Sequence, residues 1–247
     1  MRSPAQAAEA ARVRHRVVRV APDAWAALAE PLVARLALPA DDAAVVREWA
    51  ARGRPLMVRR AGPCDAGSPG VPLGLPLPPS MGKRRIGVVA PVEAIVSSEA
   101  PPALAALRDA APEAWRVTLD ALDALARRHR VGCRAFGSLA WQALTGLTYL
   151  SAGSDLDVLF ELPAGRPDAG SPGSAGGREA LAALLDGIAA CDAAAPMRID
   201  GELIRADGAG ANWREWHAAR GEHDEIVVKT AAEVVLMTPR AFLEGAV

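Results

Sequence analysis

Lysine is nearly absent from this chain. Of 28 basic residues in 247, only Lys83 and Lys229 are lysines, and arginine supplies the rest. Together with the alanine excess, this matches GC-rich coding rather than a functional choice. A dominant charge is missing too. The formal net charge is −1, which gives no bulk attraction to nucleic acid or to an anionic membrane. Aromatics make up only 4% of the chain. The three cysteines, Cys64, Cys133 and Cys191, are far apart, form no CxxC pair and join no Cys/His cluster with zinc spacing. Reduced thiols in a cytoplasmic protein are therefore expected. No apolar segment follows the N-terminal arginines, so no secretory signal is expected. Residues 135–154 carry no charge over a length that could span a bilayer. Three glycines and six Ser, Thr or Gln residues make that run too polar for a span, and it is read as buried or ligand-facing.

Glycine and proline punctuate what is there. Residues 61–82 are so rich in both that neither a helix nor a central strand is expected, only a functional or mobile loop. Before it, residues 41–52 read as a helix with Asp41 as its cap, and 55–60 (PLMVRR) as a strand. After it, 85–96 read as one or two strands interrupted at Pro91. A boundary falls at 97–112. Beyond it, Pro112 suits the first turn of a helix, with Trp115, Leu119, Leu122 and Ala126 on one face. Short strands are expected at 133–136, 156–162, 197–204 and 225–229. Helices are expected at 139–144, 178–191 and 213–220, a final helical turn at 239–244, and a second Gly/Pro/Ser loop at 163–177. This alternation predicts an α/β fold, or more exactly two α+β domains. The N-terminal domain would cover residues 1–105 and a catalytic domain 112–247.

Chemistry centres on Asp155 and Asp157. In a strand, residues two apart share a face, so two carboxylates would converge where a hard cation could bind. The pair alone says little: 15 aspartates in 247 residues give about one Asp-x-Asp by composition, and one is present. Its context adds weight. Upstream, Gly137-Ser138 stands at a strand-to-helix turn, where the glycine allows close backbone approach and the helix N-terminus can hold phosphate. Downstream, Asp200 in RIDGEL (198–203) is the candidate third carboxylate, unless Asp200-Gly201 forms a hairpin turn. Glu202 shares its face if the strand continues. Lys83 and Arg85, after the first Gly/Pro loop, and Lys229, alone in an apolar strand, could grip phosphate. Trp213 and Trp216 read as core anchors of a short helix.

Gly137-Ser138, then Gly153-Ser154-Asp155-Leu156-Asp157-Val158, then Asp200, resembles the nucleotidyltransferase superfamily signature. The spacing from Ser138 to Asp155 is longer than in many members and implies an inserted turn near 145–152. Within that superfamily, PLMVRR (55–60), LGLPLPPSMGKRR (73–85), residues 136–160, RIDGEL, WREW (213–216) and Val228-Lys229-Thr230 resemble the malonate decarboxylase holo-acyl-carrier-protein synthase family, also called phosphoribosyl-dephospho-CoA transferase. The resemblance implies a nucleotidyltransferase-like mixed sheet. It also implies transfer of a phosphoribosyl-dephospho-CoA group from triphosphoribosyl-dephospho-CoA to a serine of the acyl-carrier subunit of malonate decarboxylase, releasing pyrophosphate. Asp155, Asp157 and Asp200 would bind Mg²⁺ or Mn²⁺ and carry the chemistry. Gly137, Ser138, Ser154, Lys229, Lys83 and Arg85 would hold the donor, and the N-terminal domain would help bind donor or carrier. Neither nucleic acid nor membrane is expected as a partner. The rival readings are another metal-dependent nucleotidyltransferase and a non-catalytic nucleotide sensor.

Overall fold

The computed structural model describes residues 13–65, 67–163, 175–219, 221, 223–231 and 233–245. Most of the expected loop at 163–177 lies outside these residues, as does the side chain of Cys64. The chain divides into two compact units. One contains residues up to Pro101 together with Leu144–Tyr149; the other contains Pro102–Ala143 and the chain from Leu150 onward.

The first unit is built on a five-stranded, wholly antiparallel sheet: β1 (Val17–Val20), β2 (Leu56–Val58), β3 (Val71–Pro76), β4 (Arg85–Ala90) and β5 (Ile95–Glu99), in the order β4-β3-β2-β1-β5. Helices α1 (Pro22–Leu36) and α2 (Ala40–Arg47) lie between β1 and β2 in the chain. Trp25, Ala29, Leu32 and Val33 form the buried stripe of α1. Trp25 donates its indole N–H to the Val46 carbonyl at 2.7 Å, and Trp49 donates to Pro55 at 2.9 Å. All six tryptophans of this aromatic-poor chain are buried. They supply core volume while their polar edges stay available for hydrogen bonds.

Two expectations fail here. Helix α2 starts at Ala40 after Pro39 and has no side-chain cap, so Asp41 acts as a first-turn acid instead. Strand β3 lies inside the Gly/Pro-rich stretch and pairs on both sides. Its alternate residues Val71, Leu73 and Leu75 are fully buried, which gives the segment a buried face. Arg59 donates its backbone N–H to Pro72 O, so residue 72 turns its polar edge toward β2. Because β2 is only three residues long, prolines on that edge cost few ladder bonds.

The second unit contains a six-stranded mixed sheet, β11-β10-β9-β8-β7-β6. Its elements, in chain order, are α3 (Arg116–His129), β6 (Gly132–Ala135), α4 (Gly137–Thr145), β7 (Leu156–Glu161), α5 (Ala175–Ala194), β8 (Ile199–Ile204), β9 (Gly210–Asn212), α6 (Trp213–Ala218), β10 (Ile226–Lys229), β11 (Val234–Met237) and α7 (Pro239–Glu244). Only β7 and β8 run parallel, joined through α5 as parallel neighbours require. Strand β8 continues through Gly201, so Asp200-Gly201 is not a turn. The two units together make an α+β protein. Of the uncharged run, Ala135, Leu139, Ala140, Trp141 and Tyr149 are buried, but Gly146, Thr148 and residues 151–153 are exposed. These short turns lie on the surface, as polar backbone connections generally do.

Strand alternation sorts the second sheet into two faces. Leu156, Val158 and Phe160 of β7, Ile199 and Leu203 of β8, Ala211 of β9 and Val228 of β10 enter one hydrophobic core with Trp115, Leu119 and Leu122 of the α3 region, Leu184, Leu185 and Ile188 of α5, and Trp213 and Trp216 of α6. The registers Asp157↔Asp200, Glu202↔Asn212 and Lys229↔Gly210 put Asp157, Asp200, Glu202, Asn212 and Lys229 together on the opposite face. Among the described residues, no helix is long and apolar enough to cross a membrane.

Candidate active site

The polar face meets the turn from β6 to α4 at Asp157. Phe136 donates its N–H to the backbone carbonyl of Asp157 at 3.1 Å, which ties the turn to β7. Gly137 then adopts φ +66° and α4 begins. A Cβ at Gly137 would lie 1.8 Å from Asp157 Oδ2 and 2.4 Å from its Cγ. The Asp157 carboxylate therefore sits against the Gly137 backbone at the helix start. Any larger residue fails there twice, by backbone conformation and by overlap. At the same helix end the first N–H groups have no intrahelical acceptor and the helix dipole is positive, with Ser138 next in sequence.

Asp200 is the register partner of Asp157 on the adjacent parallel strand. It accepts a hydrogen bond from Asn212 Nδ2 at 3.0 Å. Asp155 lies just ahead of β7 and is exposed. Ser154 closes the preceding turn: its N–H donates to Ser151 O at 3.0 Å and its hydroxyl accepts from Ser151 N–H at 2.9 Å. Among the described residues, no three His, Cys, Asp or Glu side chains are grouped closely enough to form a metal cage. Lys229 bonds Glu202 at 2.8 Å. Glu202 is only 6% exposed, so one task of that ammonium is to balance a buried carboxylate. Lys83 (φ +52°, exposed) and Arg85 (first residue of β4, exposed) belong to the other unit.

The strand that carries Asp200 is anchored at its start. Asp192 accepts from the Ile199 N–H at 2.8 Å and from Arg214 Nη2 at 2.5 Å. Arg214 also donates to Ile199 O at 3.1 Å and lies over the Trp213 ring at 4.4 Å. The Trp213 indole donates to the same carbonyl at 3.2 Å. Burial alone would raise the Asp192 pKa, but the Arg214 and Ile199 hydrogen bonds and the nearby arginines outweigh it and lower it. WREW thus anchors β8 as well as filling core. Cys133 is pushed up to about 12, chiefly by burial, so it stays a thiol.

In the first unit, Arg59 of PLMVRR makes a fork on Asp65 at 2.6 and 2.7 Å. These bonds, with the Gly62 N–H, lower Asp65 to about 2. The inserted segment 144–149 groups with this unit, where Tyr149 donates its hydroxyl to Pro76 O at 2.8 Å.

Sequence reasoning missed Asn212. Its signal was local: an asparagine immediately before a short helix is a favoured cap. Its bond to Asp200 joins residues on two different strands and leaves no mark in the local pattern.

Comparison with known proteins gives a consistent result. Residues 13–101 match the family model described as the phosphoribosyl-dephospho-CoA transferase MdcG N-terminal domain, and residues 103–240 match the C-terminal domain. A phosphoribosyl-dephospho-CoA transferase of Bradyrhizobium diazoefficiens is 45% identical over 177 residues, which is 72% of this chain and 71% of the relative. Enzymes of the same name from Xanthomonas euvesicatoria and Xanthomonas axonopodis are each 39% identical, over 70% and 69% of this chain and 73% and 72% of their own lengths. No solved structure matches. With both family domains matched in order and relatives aligned over more than two thirds of their length, the chain belongs to the phosphoribosyl-dephospho-CoA transferase family and is a transferase enzyme.

Proposed function

We propose that this enzyme moves the phosphoribosyl-dephospho-CoA group from its triphosphate donor onto a serine of the apo acyl-carrier subunit of malonate decarboxylase. The serine oxygen bonds to the α-phosphorus, the bond from that phosphorus to the bridging oxygen breaks, and pyrophosphate leaves. The serine proton passes to a carboxylate or to solvent.

One observation carries this reading: the Asp157 carboxylate sits against Gly137 at a helix N-terminus, with Asp200 in register beside it. A helix N-terminus favours phosphate. Phosphate brought there meets Asp157, and two anions at one place need a cation between them. The donor set suits Mg²⁺ or Mn²⁺, which is held by one or two carboxylates and completed by substrate phosphates and water, so a three-residue protein cage is not required. When bound, such an ion would neutralise charge on the reacting phosphate and acidify the attacking hydroxyl. Gly137 and Ser138 approach the phosphate chain through backbone N–H groups. Asp155, two residues before Asp157, is proposed to add a third carboxylate once the ion is bound, and Asp200 to hold the ion or take the serine proton. Ser154 shapes the turn that delivers Asp155. Lys229 is proposed as a further contact of the donor.

The test is an incubation of the protein with Mg²⁺, triphosphoribosyl-dephospho-CoA and apo carrier subunit. A carrier heavier by one prosthetic group, with one equivalent of pyrophosphate, is the expected result. Donor binding without mass gain would favour a sensor. Gain only with another nucleotide and acceptor would favour a different nucleotidyltransferase. Either result would overturn the proposal.

A further inference from the structure

We infer that Asn212 is a positioning residue for the transfer, holding the Asp200 carboxylate in its working orientation. This rests on the reading above, in which Asp200 acts at the reacting phosphate.

The Asn212 amide is held at both ends. Asn212 closes β9 and precedes α6 directly. Its Oδ1 accepts the backbone N–H of Arg214 at 2.9 Å and so caps α6. Only the oxygen of an amide can accept, so this bond fixes which end is which. The NH₂ group must then face Asp200, and Nδ2 lies 3.0 Å from Asp200 Oδ1. Asp200 must in turn present a lone pair there. One of its oxygens is committed, and the other is left for the reacting group.

The frame behind this bond is stiff. Trp213, next to Asn212, is 2% exposed. The backbone N–H and C=O of Ile199, the residue before Asp200, are held by Asp192, Arg214 and Trp213. Glu202 is in register with Asn212 and carries its own partner, Lys229. Asp200 is therefore fixed from its backbone by the Ile199 clamp and from its side chain by Asn212. Groups that orient a ligand or catalytic carboxylate in this way typically change metal affinity or activity by about 10- to 100-fold when removed.

Because Asn212 is also a cap, the test must separate the two roles. Serine is a good cap but is too short to reach Asp200, whereas alanine serves neither purpose. Asn212→Ser and Asn212→Ala are each compared with wild type by carrier-transfer rate, by Mn²⁺ binding followed through the electron paramagnetic resonance of free Mn²⁺, and by thermal midpoint. Both variants are expected to lose transfer and Mn²⁺ affinity about 10- to 100-fold, while only Asn212→Ala melts lower. If Asn212→Ser transfers and binds Mn²⁺ like wild type, and Asn212→Ala loses activity only as far as it loses stability, Asn212 is a cap alone and the inference fails. Asp200→Asn is measured beside them, alone and with Asn212→Ser. Non-additivity is expected: once Asp200 is gone, Asn212→Ser has little left to remove. An equal further loss in the double variant would overturn the inference and leave the role of Asp200 standing. Wild-type transfer and Mn²⁺ binding by Asp200→Asn would remove that role itself, and the inference with it.

Discussion

The two faces of the second sheet are made by the same strands and have opposite fates. In β7, Leu156, Val158 and Phe160 are completely buried in the helix-covered core, while Asp157 is half-buried on the other face against Gly137. In β8, Ile199 and Leu203 enter the core while Asp200 and Glu202 face away, Asp200 bonded to Asn212 on the adjacent β9 and Glu202 to Lys229 one strand further, on β10. The side-chain period of two makes these facts inseparable. A slip of one residue would exchange core and carboxylates, so burial of the apolar set is what aims the carboxylate set. The core resides on one face and the proposed chemistry on the other.

Variants can break that division from either side. Asp157→Asn removes charge without volume and should lower transfer on the order of 10³-fold, with a thermal midpoint near that of wild type; steady-state transfer and melting curves check both. Gly137→Ala pushes a methyl group into the Asp157 carboxylate and strains a backbone at φ +66°. It should cost about 10²-fold in rate, the scale of a displacement near 1 Å, together with about 1–2 kcal/mol of stability, read by chemical denaturation. Phe160→Ala tests the other face. It should cost about 3–5 kcal/mol in unfolding free energy, while the fraction that remains folded transfers at the wild-type rate.

Much of this division was legible in the sequence, and the losses have physical causes. The stripe Trp115, Leu119, Leu122, Ala126 and the strand around Asp157 stood out because burial on one side writes a period into the chain. The turn at Gly137-Ser138 stood out only through its pairing with the acidic strand downstream, since Gly-Ser alone marks many turns. Strand β3 was hidden because Pro72, Gly74 and Pro76 masked the alternation of Val71, Leu73 and Leu75. Strand β9 is only Gly-Ala-Asn, too short to show any period. The pairs Asp200–Asn212 and Glu202–Lys229 join residues 12 and 27 positions apart. Such contacts are set by strand register, and local pattern does not encode them. Lys229 stood out as a lone charge, but its Glu202 partner emerges only when β8, β9 and β10 are aligned.

The smallest expected effect concerns acid. Asp192 has its pKa lowered in the folded protein, with burial opposed and outweighed by Arg214 and Ile199. A carboxyl with a depressed folded pKa stabilises above its unfolded value, near 4, and loses that contribution as pH falls through the folded value. Stability should therefore decline from about pH 4 downward, and Asp192→Asn should flatten that limb. Melting curves across this range provide the check.

The most direct test of the account is to locate the donor on the folded protein by amide chemical shifts. With triphosphoribosyl-dephospho-CoA and Mg²⁺ added to ¹⁵N-labelled protein, the largest changes within the second unit should fall at residues 136–139, 155–157, 199–202 and 210–212. Changes centred instead on the helices of the opposite face, with these four segments unmoved, would contradict it.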